Sequence, residues 1–134
     1  MVTRRERQRE ALEELKAILV LEHGDVRFVL VEGHRDVEAI KNLNASMPVE
    51  VSSHTGKTEH DIAVDLSRKA RDILVLTDFD EEGRSKAKRL SQLLETEGVH
   101  VQRDLRWKIG KLMGVLGMNT IESLNNICDD SSVT

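Results

Sequence analysis

The chain alternates between segments with apolar residues at helical spacing and short segments that are almost continuously apolar. Residues 4–21 place leucine and isoleucine three and four positions apart between charged residues, which predicts an N-terminal helix. Residues 26–31 and 73–77 are β-branched and apolar, as expected for strands covered on both faces. Shorter runs at 49–51 and 99–101 predict two further strands.

Helix-length connections separate these four predicted strands. Residues 36–43, 58–70 and 84–97 repeat apolar side chains at helical spacing, and residues 103–127 predict one or two helices broken near two glycines, Gly114 and Gly117. Strands joined by helices lie parallel in one sheet with right-handed crossovers. The pattern therefore predicts a single α/β domain over the 134 residues, with a four-stranded parallel sheet flanked by helices and with additional N- and C-terminal helices.

Acidic side chains follow two of the predicted strands. Glu32 comes directly after residues 26–31, while Asp78, Asp80 and Glu82 alternate along the turn after the strongest strand. Open α/β sheets bind ligands at the carboxyl ends of their strands, and an extended turn would direct alternate side chains to one side. Carboxylates crowded together repel one another without a cation, and oxygen ligands are those that Mg²⁺ prefers. A solvated acidic loop is the alternative for the Asp-x-Asp pair.

Together these two acidic segments resemble the Toprim domain, which topoisomerases, bacterial-type primases and several nucleases share. The family pattern is Glu-Gly after the first strand and Asp-x-Asp after the third. Here Glu32 precedes a glycine, with Asp36 three residues further on, and residues 77–83 read Thr-Asp-Phe-Asp-Glu-Glu-Gly, similar to the type IA topoisomerase version. Gly56 lies where the family commonly has a glycine after its second strand. The resemblance covers about residues 26–102 and implies a Toprim, Rossmann-like fold.

The resemblance also implies a metal site and its chemistry. In the family, the aspartates of the second segment hold Mg²⁺, and the glutamate of the first is a ligand or moves a proton. Carried over to this chain, the expected catalytic residues are Glu32, Asp78 and Asp80, and these three with Glu82 are the expected ligands of one or two Mg²⁺ ions, with Mn²⁺ as a substitute. For Asp36, a role in the helix N-terminus and a role at a second metal stay open.

Composition narrows the reaction that the resemblance allows. The sequence contains no tyrosine, which topoisomerases need as nucleophile, and one cysteine, which cannot build the zinc module usual in primases and RecR-type proteins. A small Mg²⁺-dependent nuclease is the expected function. The alternatives are a non-catalytic nucleic-acid-binding or adaptor protein and, less favoured, a phosphatase of small molecules. Without an apolar run long enough to span a membrane, the expected location is the cytoplasm, as a homo-oligomer or part of a larger RNA- or DNA-processing complex.

Local cations would have to contact the nucleic acid, because the net charge of the chain is −4. The expected nucleic-acid-binding residues are Lys57, Arg84, Arg103 and Arg106, with Trp107 offering a surface for a base or sugar to stack on. The alternative is that Trp107 packs a terminal helix onto the sheet while the basic residues form a solvated face.

Overall fold

A computed structural model of the chain describes residues 2–20, 28–43, 47–53 and 56–126. The helices are α1 (Arg4–Val20), α2 (His34–Asn42), α3 (Glu59–Ser67), α4 (Glu81–Thr96) and α5 (Arg103–Val115); the strands are β1 (Phe28–Val31), β2 (Val49–Val51), β3 (Asp72–Val75) and β4 (His100–Val101). The strands form one parallel sheet in the order β2-β1-β3-β4. Helices lie on both faces of this sheet, which confirms the predicted α/β class and four-stranded parallel sheet.

Apart from Asp72 at the start of β3, the central strands are apolar because both of their faces are buried. Val29 and Val31 of β1 pack with Leu74 of β3 against the side that carries α1, α2 and α5. Leu30 and Ile73 point to the opposite side, which carries α3 and α4. Successive side chains of a strand alternate between faces, so a strand buried on both sides has no polar positions.

The order of the strands determines where a site can form. The chain leaves β1 through α2 toward β2 on one edge, and it leaves β3 through α4 toward β4 on the other edge. Because β1 and β3 are neighbours whose connections depart in opposite directions, a crevice opens between their carboxyl ends. Leu76 donates a backbone hydrogen bond to the Leu30 carbonyl at 2.7 Å, so the two strands stay paired up to that crevice.

The helix boundaries test the sequence prediction at two informative places. The helix α2 begins at His34 and not at Asp36, because Gly33 is its N-cap and the Asp36 carboxylate accepts a hydrogen bond from the Gly33 N–H. The break expected near Gly114 and Gly117 is present, since α5 ends at Val115 and the chain turns at Gly117, which has a φ of +72°. The predicted ends at 21, 26 and 127 lie outside the described residues.

After α5 the chain folds back over the sheet. Ile109 and Met113 of α5 are buried in the same core as Leu15 of α1, and Ile121 beyond the turn joins that core as well. The Met118 N–H bonds to the Met113 carbonyl at 2.9 Å and closes the turn. This return brings residues 119–121 onto the loop that follows β3. Among the described residues, no helix is long and apolar enough to cross a membrane.

Two glycines give a matched test of this packing. A Cβ at Gly83 would lie 2.1 Å from the Asp78 carbonyl oxygen, whereas one at Gly114 would meet nothing within 4 Å. We expect Gly83→Ala to lower the free energy of unfolding by about 1–3 kcal/mol, because the clash is with backbone. Gly114→Ala should raise it by up to about 1 kcal/mol, because alanine is the better helix former. Urea unfolding of both variants measures this, and equal effects would contradict the fold.

Candidate metal centre

Four carboxylates gather where β1 and β3 end, and we call this set the carboxylate edge: Glu32, Asp36, Asp78 and Asp80. Glu32 directly follows β1, and the two aspartates of the second segment follow β3. Burial raises the pKa of Glu32 above its usual value, and the negative charges of Asp78, Asp36 and Asp80 raise it further. The structure therefore brings the three predicted catalytic residues into one electrostatic cluster.

Asp36 has a clear structural role at this edge. The residue is 8% exposed, and its Oδ2 accepts the Gly33 N–H at 3.0 Å, which caps α2. Burial raises the pKa of Asp36, while the hydrogen bond from Gly33 lowers it. The bond supports the helix N-terminus alternative, and it ties the backbone beside Glu32 to the start of α2.

Asp80 also caps a helix. It is the N-cap of α4, and its Oδ1 accepts the Gly83 N–H at 2.7 Å. The buried hydroxyl of Thr77 donates to the Gly83 carbonyl at 2.6 Å, which closes the turn from the other side. Because the helix begins at Glu81, the turn does not continue as extended chain, and Glu82 lies exposed on the first turn of α4. Its assignment as a metal ligand stays a prediction.

Arg106 supports the turn from beneath. Its guanidinium donates to the carbonyls of Val75, Thr77 and Asp78 at 3.0, 2.9 and 3.0 Å. It also lies over the Phe79 ring, 4.3 Å from the centroid. Burial lowers the pKa of Arg106 to about 10, so it remains charged at neutral pH. Sequence reasoning assigned this residue to nucleic acid, but in the structure its donors are directed at the chain itself.

The segment after α5 holds the same turn from above. The Phe79 N–H donates to the Asn119 carbonyl at 2.6 Å, and the Ile121 N–H donates to the Asp78 Oδ1 at 2.9 Å. One carboxylate oxygen of Asp78 is thereby engaged by the backbone. The sequence carried no direct signal for this contact; the turn at Gly117 is the one feature that could have suggested it.

The donor chemistry of the carboxylate edge fits a hydrated divalent cation. Among the residues that the structure describes, no group of three or more His, Cys, Asp or Glu side chains is arranged to hold a metal ion. Mg²⁺, however, keeps several waters and is commonly held by one or two carboxylates together with substrate phosphates. Asp78 and Asp80 each use Oδ1 for a backbone N–H, which leaves Oδ2 to serve as a ligand. A cation would also offset the repulsion that Glu32 experiences.

Two of the predicted nucleic-acid-binding residues form ion pairs on the surface. Lys57 contacts Asp65 at 2.7 Å, and Arg103 contacts Glu95 at 2.7 Å through a two-pronged pair of hydrogen bonds. These pairs are exposed and contribute little to stability, so both cations can exchange their partners at small cost.

Besides Arg106, described above, the remaining predicted residues are Arg84 and Trp107. Both are exposed beside a cleft between α4 and α5. Trp107 is 66% exposed, so the alternative that it packs the terminal helix onto the sheet is wrong. The Lys111 ammonium lies 4.4 Å from the centroid of its ring.

Lys86 and Ser52 lie close to the carboxylate edge but are not among the predicted site residues. The positive charge of Lys86 lowers the pKa of Glu32 against the other influences, and its Nζ lies 3.4 Å from the Ser53 hydroxyl. Ser52 follows β2, bonds through its N–H to the Val31 carbonyl at 2.7 Å and is 5% exposed. Its hydroxyl has no hydrogen-bond partner within the described part of the chain. The basic run after Arg84 was a signal for Lys86, whereas Ser52 belongs to no motif and could not be selected from the sequence.

With this geometry, comparison with known proteins identifies the class. The family model of the Toprim domain matches residues 27–104, and the chain belongs to the Toprim domain family. Among its relatives, a UPF0292 protein from Methanocaldococcus jannaschii is 32% identical over 116 residues, 86% of this chain and 84% of the relative. A UPF0292 protein from Methanosarcina barkeri is 28% identical over 115 residues, 86% and 78% of the two chains.

A solved structure supports the fold independently. A protein from Aquifex aeolicus superposes with a TM-score of 0.61 at 24% identity, covering 86% of this chain and 95% of that one. The predicted membership of the Toprim superfamily is confirmed. Toprim domains bind divalent metals such as Mg²⁺, and membership implies a metal-dependent role connected with nucleic acid.

The raised pKa of Glu32 predicts how its charge affects stability. A carboxyl whose pKa is raised on folding favours the folded state most at low pH, and that contribution is lost as the pH rises through the raised pKa. Without metal at pH 7, we expect Glu32→Gln to raise the melting temperature on the order of 1–2 °C. The difference from the parent should shrink toward pH 4.5. A lower melting temperature of the variant at pH 7 would contradict the crowding of charge.

Two arginines of α5 have different structural roles, because Arg106 supports the acidic turn and Arg103 forms a surface ion pair. Arg106→Gln leaves three carbonyls without their charged donor and should reduce the free energy of unfolding by about 2–4 kcal/mol. Arg103→Gln removes an exposed ion pair and should cost less than about 1 kcal/mol. Urea unfolding of both variants measures the difference. Similar costs would show that Arg106 does not hold the turn.

Proposed function

We propose that this chain is a divalent-cation-dependent nuclease that hydrolyses phosphodiester bonds at the carboxylate edge. The observation that carries the proposal is the cluster of Glu32 with Asp78 and Asp80 at the crevice between β1 and β3, in a chain of the Toprim family. Membership of the Toprim family and the carboxylate ligands for a divalent cation both favour nucleic-acid phosphates as the substrate group.

The aspartates of the turn are the proposed metal ligands. The carboxylates of Asp78 and Asp80 are held in position because each accepts a backbone N–H through Oδ1. The second oxygen of each, Oδ2, is the proposed ligand atom. Glu32 is the third proposed ligand, and Glu82 a fourth that would join only by reorienting from the surface of α4. A bound Mg²⁺, or Mn²⁺ in its place, would neutralise phosphate charge and orient the attacking water.

When it does not bind the cation, Glu32 is the proposed proton carrier. Its raised pKa makes it easier to protonate than an ordinary surface glutamate, as a general acid or base requires. Lys86 provides a nearby positive charge that limits this rise and that would also attract a phosphate. Water is the proposed nucleophile, because the sequence has no tyrosine to form a covalent intermediate with the strand.

The test is cleavage of end-labelled single-stranded RNA, structured RNA, single-stranded DNA and duplex DNA with Mg²⁺, Mn²⁺ or EDTA. Asp80→Asn removes the charge but keeps an oxygen that can cap α4, so it is preferable to alanine. We expect metal-dependent cleavage by the parent chain and a loss of at least about 100-fold in Asp80→Asn.

The neighbouring Glu81→Gln is the matched control. It removes the same charge one residue further along α4, from an exposed side chain outside the carboxylate edge, and should leave the cleavage rate unchanged. Full activity of Asp80→Asn, or cleavage that persists in EDTA, would reject the assignment. Metal-dependent binding without cleavage of any substrate would favour the adaptor alternative.

A further inference from the structure

The cleft between α4 and α5 differs in charge from the rest of the chain. Its volume is about 640 Å³, and five cations line it: Arg84, Lys88, Arg103, Arg106 and Lys111. Within the described part of the chain its lining contains no carboxylate, although the net charge of the whole sequence is −4. A positively charged cleft on an acidic protein selects for an anionic ligand.

The floor of the cleft is apolar. Phe79 and Met118 line it, and Trp107 stands at its rim with two thirds of its surface exposed. Two glycines of α5, Gly110 and Gly114, keep the floor open; a Cβ at the first would come within 2.9 Å of the Phe79 ring. A flat apolar surface surrounded by cations is the arrangement that receives stacked bases and their phosphates.

The cleft begins at the acidic turn. Phe79 lies between Asp78 and Asp80 in the chain, so the residue that forms part of the floor also belongs to the loop that carries the carboxylates. Val75, at the end of β3, and Val101, at the end of β4, also line the cleft. A ligand in the cleft would therefore lie beside the acidic turn.

We propose that this cleft binds a single strand of nucleic acid, with a base against Trp107 and its phosphates along Arg84, Lys88 and Lys111. A volume of about 640 Å³ is that of a pocket for a small molecule and accommodates one or two nucleotides, not a duplex. Stacking on an aromatic ring also requires an unpaired base. The proposal deepens the proposed function, on which it rests, by naming the unpaired strand as substrate.

The sequence supplies its own reporter for this binding. Trp107 is the only tryptophan and there is no tyrosine, so emission excited at a wavelength specific for tryptophan comes from the rim of the cleft. The experiment titrates Asp80→Asn protein in EDTA with an unlabelled 12-nucleotide single-stranded RNA or DNA, so that no cleavage takes place. We expect saturable quenching of Trp107 that weakens as salt is raised.

Two variants and one control locate the binding. Lys88→Glu should weaken binding about tenfold by reversing one cation of the cleft. Gly114→Leu should weaken it by a similar factor, because its side chain enters space where a Cβ meets nothing within 4 Å. Lys41→Glu makes the same change of net charge on an exposed residue of α2, near the opposite edge of the sheet, and should change affinity less than about twofold. Circular dichroism confirms the fold of each variant.

Several results would overturn the proposal. One is the absence of Trp107 quenching by either single strand, and another is tighter binding of a duplex. Equal weakening by Lys41→Glu and Lys88→Glu, or unchanged binding by Gly114→Leu, would also overturn it. Equal quenching by a polyglutamate peptide would indicate a protein partner instead. Binding is measured without metal and cleavage by the parent chain is measured with it. If the parent chain cleaves nucleic acid but Trp107 is not quenched, only the proposed binding in the cleft is rejected. Quenching as expected without any cleavage activity rejects only the nuclease.

Discussion

The parallel pairing of β1 with β3 is the constraint on which the rest of the site depends. The two strands are neighbours, yet their connections leave toward opposite edges, so their carboxyl ends face an open crevice. Glu32 and Asp78, 46 positions apart in the sequence, become neighbours there. Burial at this edge, together with the negative charge that the pairing concentrates, disfavours ionised carboxylates and raises the pKa of Glu32 and of Asp36. A divalent cation is the chemical species that reverses this cost.

Support for the acidic turn comes largely from beyond the family-matched segment, which ends at residue 104. Arg106 donates to three carbonyls of β3 and the turn, and the backbone of 119–121 bonds to Phe79 and to the Asp78 carboxylate. The C-terminal residues thus belong to the architecture of the site, and α5 also forms one wall of the cationic cleft. A truncation after residue 104 would remove both the support of the acidic turn and this wall of the cleft.

The sequence predicted the architecture well because hydrophobic patterning reports burial directly. The continuous apolar runs of β1 and β3 indicated strands covered on both faces, and Glu32, Asp78 and Asp80 followed from their positions after these strands. What it could not predict depends on hydrogen bonds between distant segments. Arg106 was read as a surface cation because its carbonyl partners are known only from the fold. Glu82 was placed with its neighbours because the start of α4 at Glu81 was not anticipated. For Trp107 the sequence left a stacking surface and inward packing both open, and only the fold shows that its side chain is exposed.

Calorimetric titration of Mn²⁺ or Mg²⁺ into the metal-free protein tests most directly whether the carboxylate edge is a cation site. Asp78→Asn keeps an oxygen to accept the Ile121 N–H while removing the charge, and Glu81→Gln is the control with the same change of charge. The account predicts saturable binding by the parent chain and by Glu81→Gln, with affinity at least about tenfold weaker in Asp78→Asn. No binding by the parent chain, or equal affinity in Asp78→Asn, would contradict it.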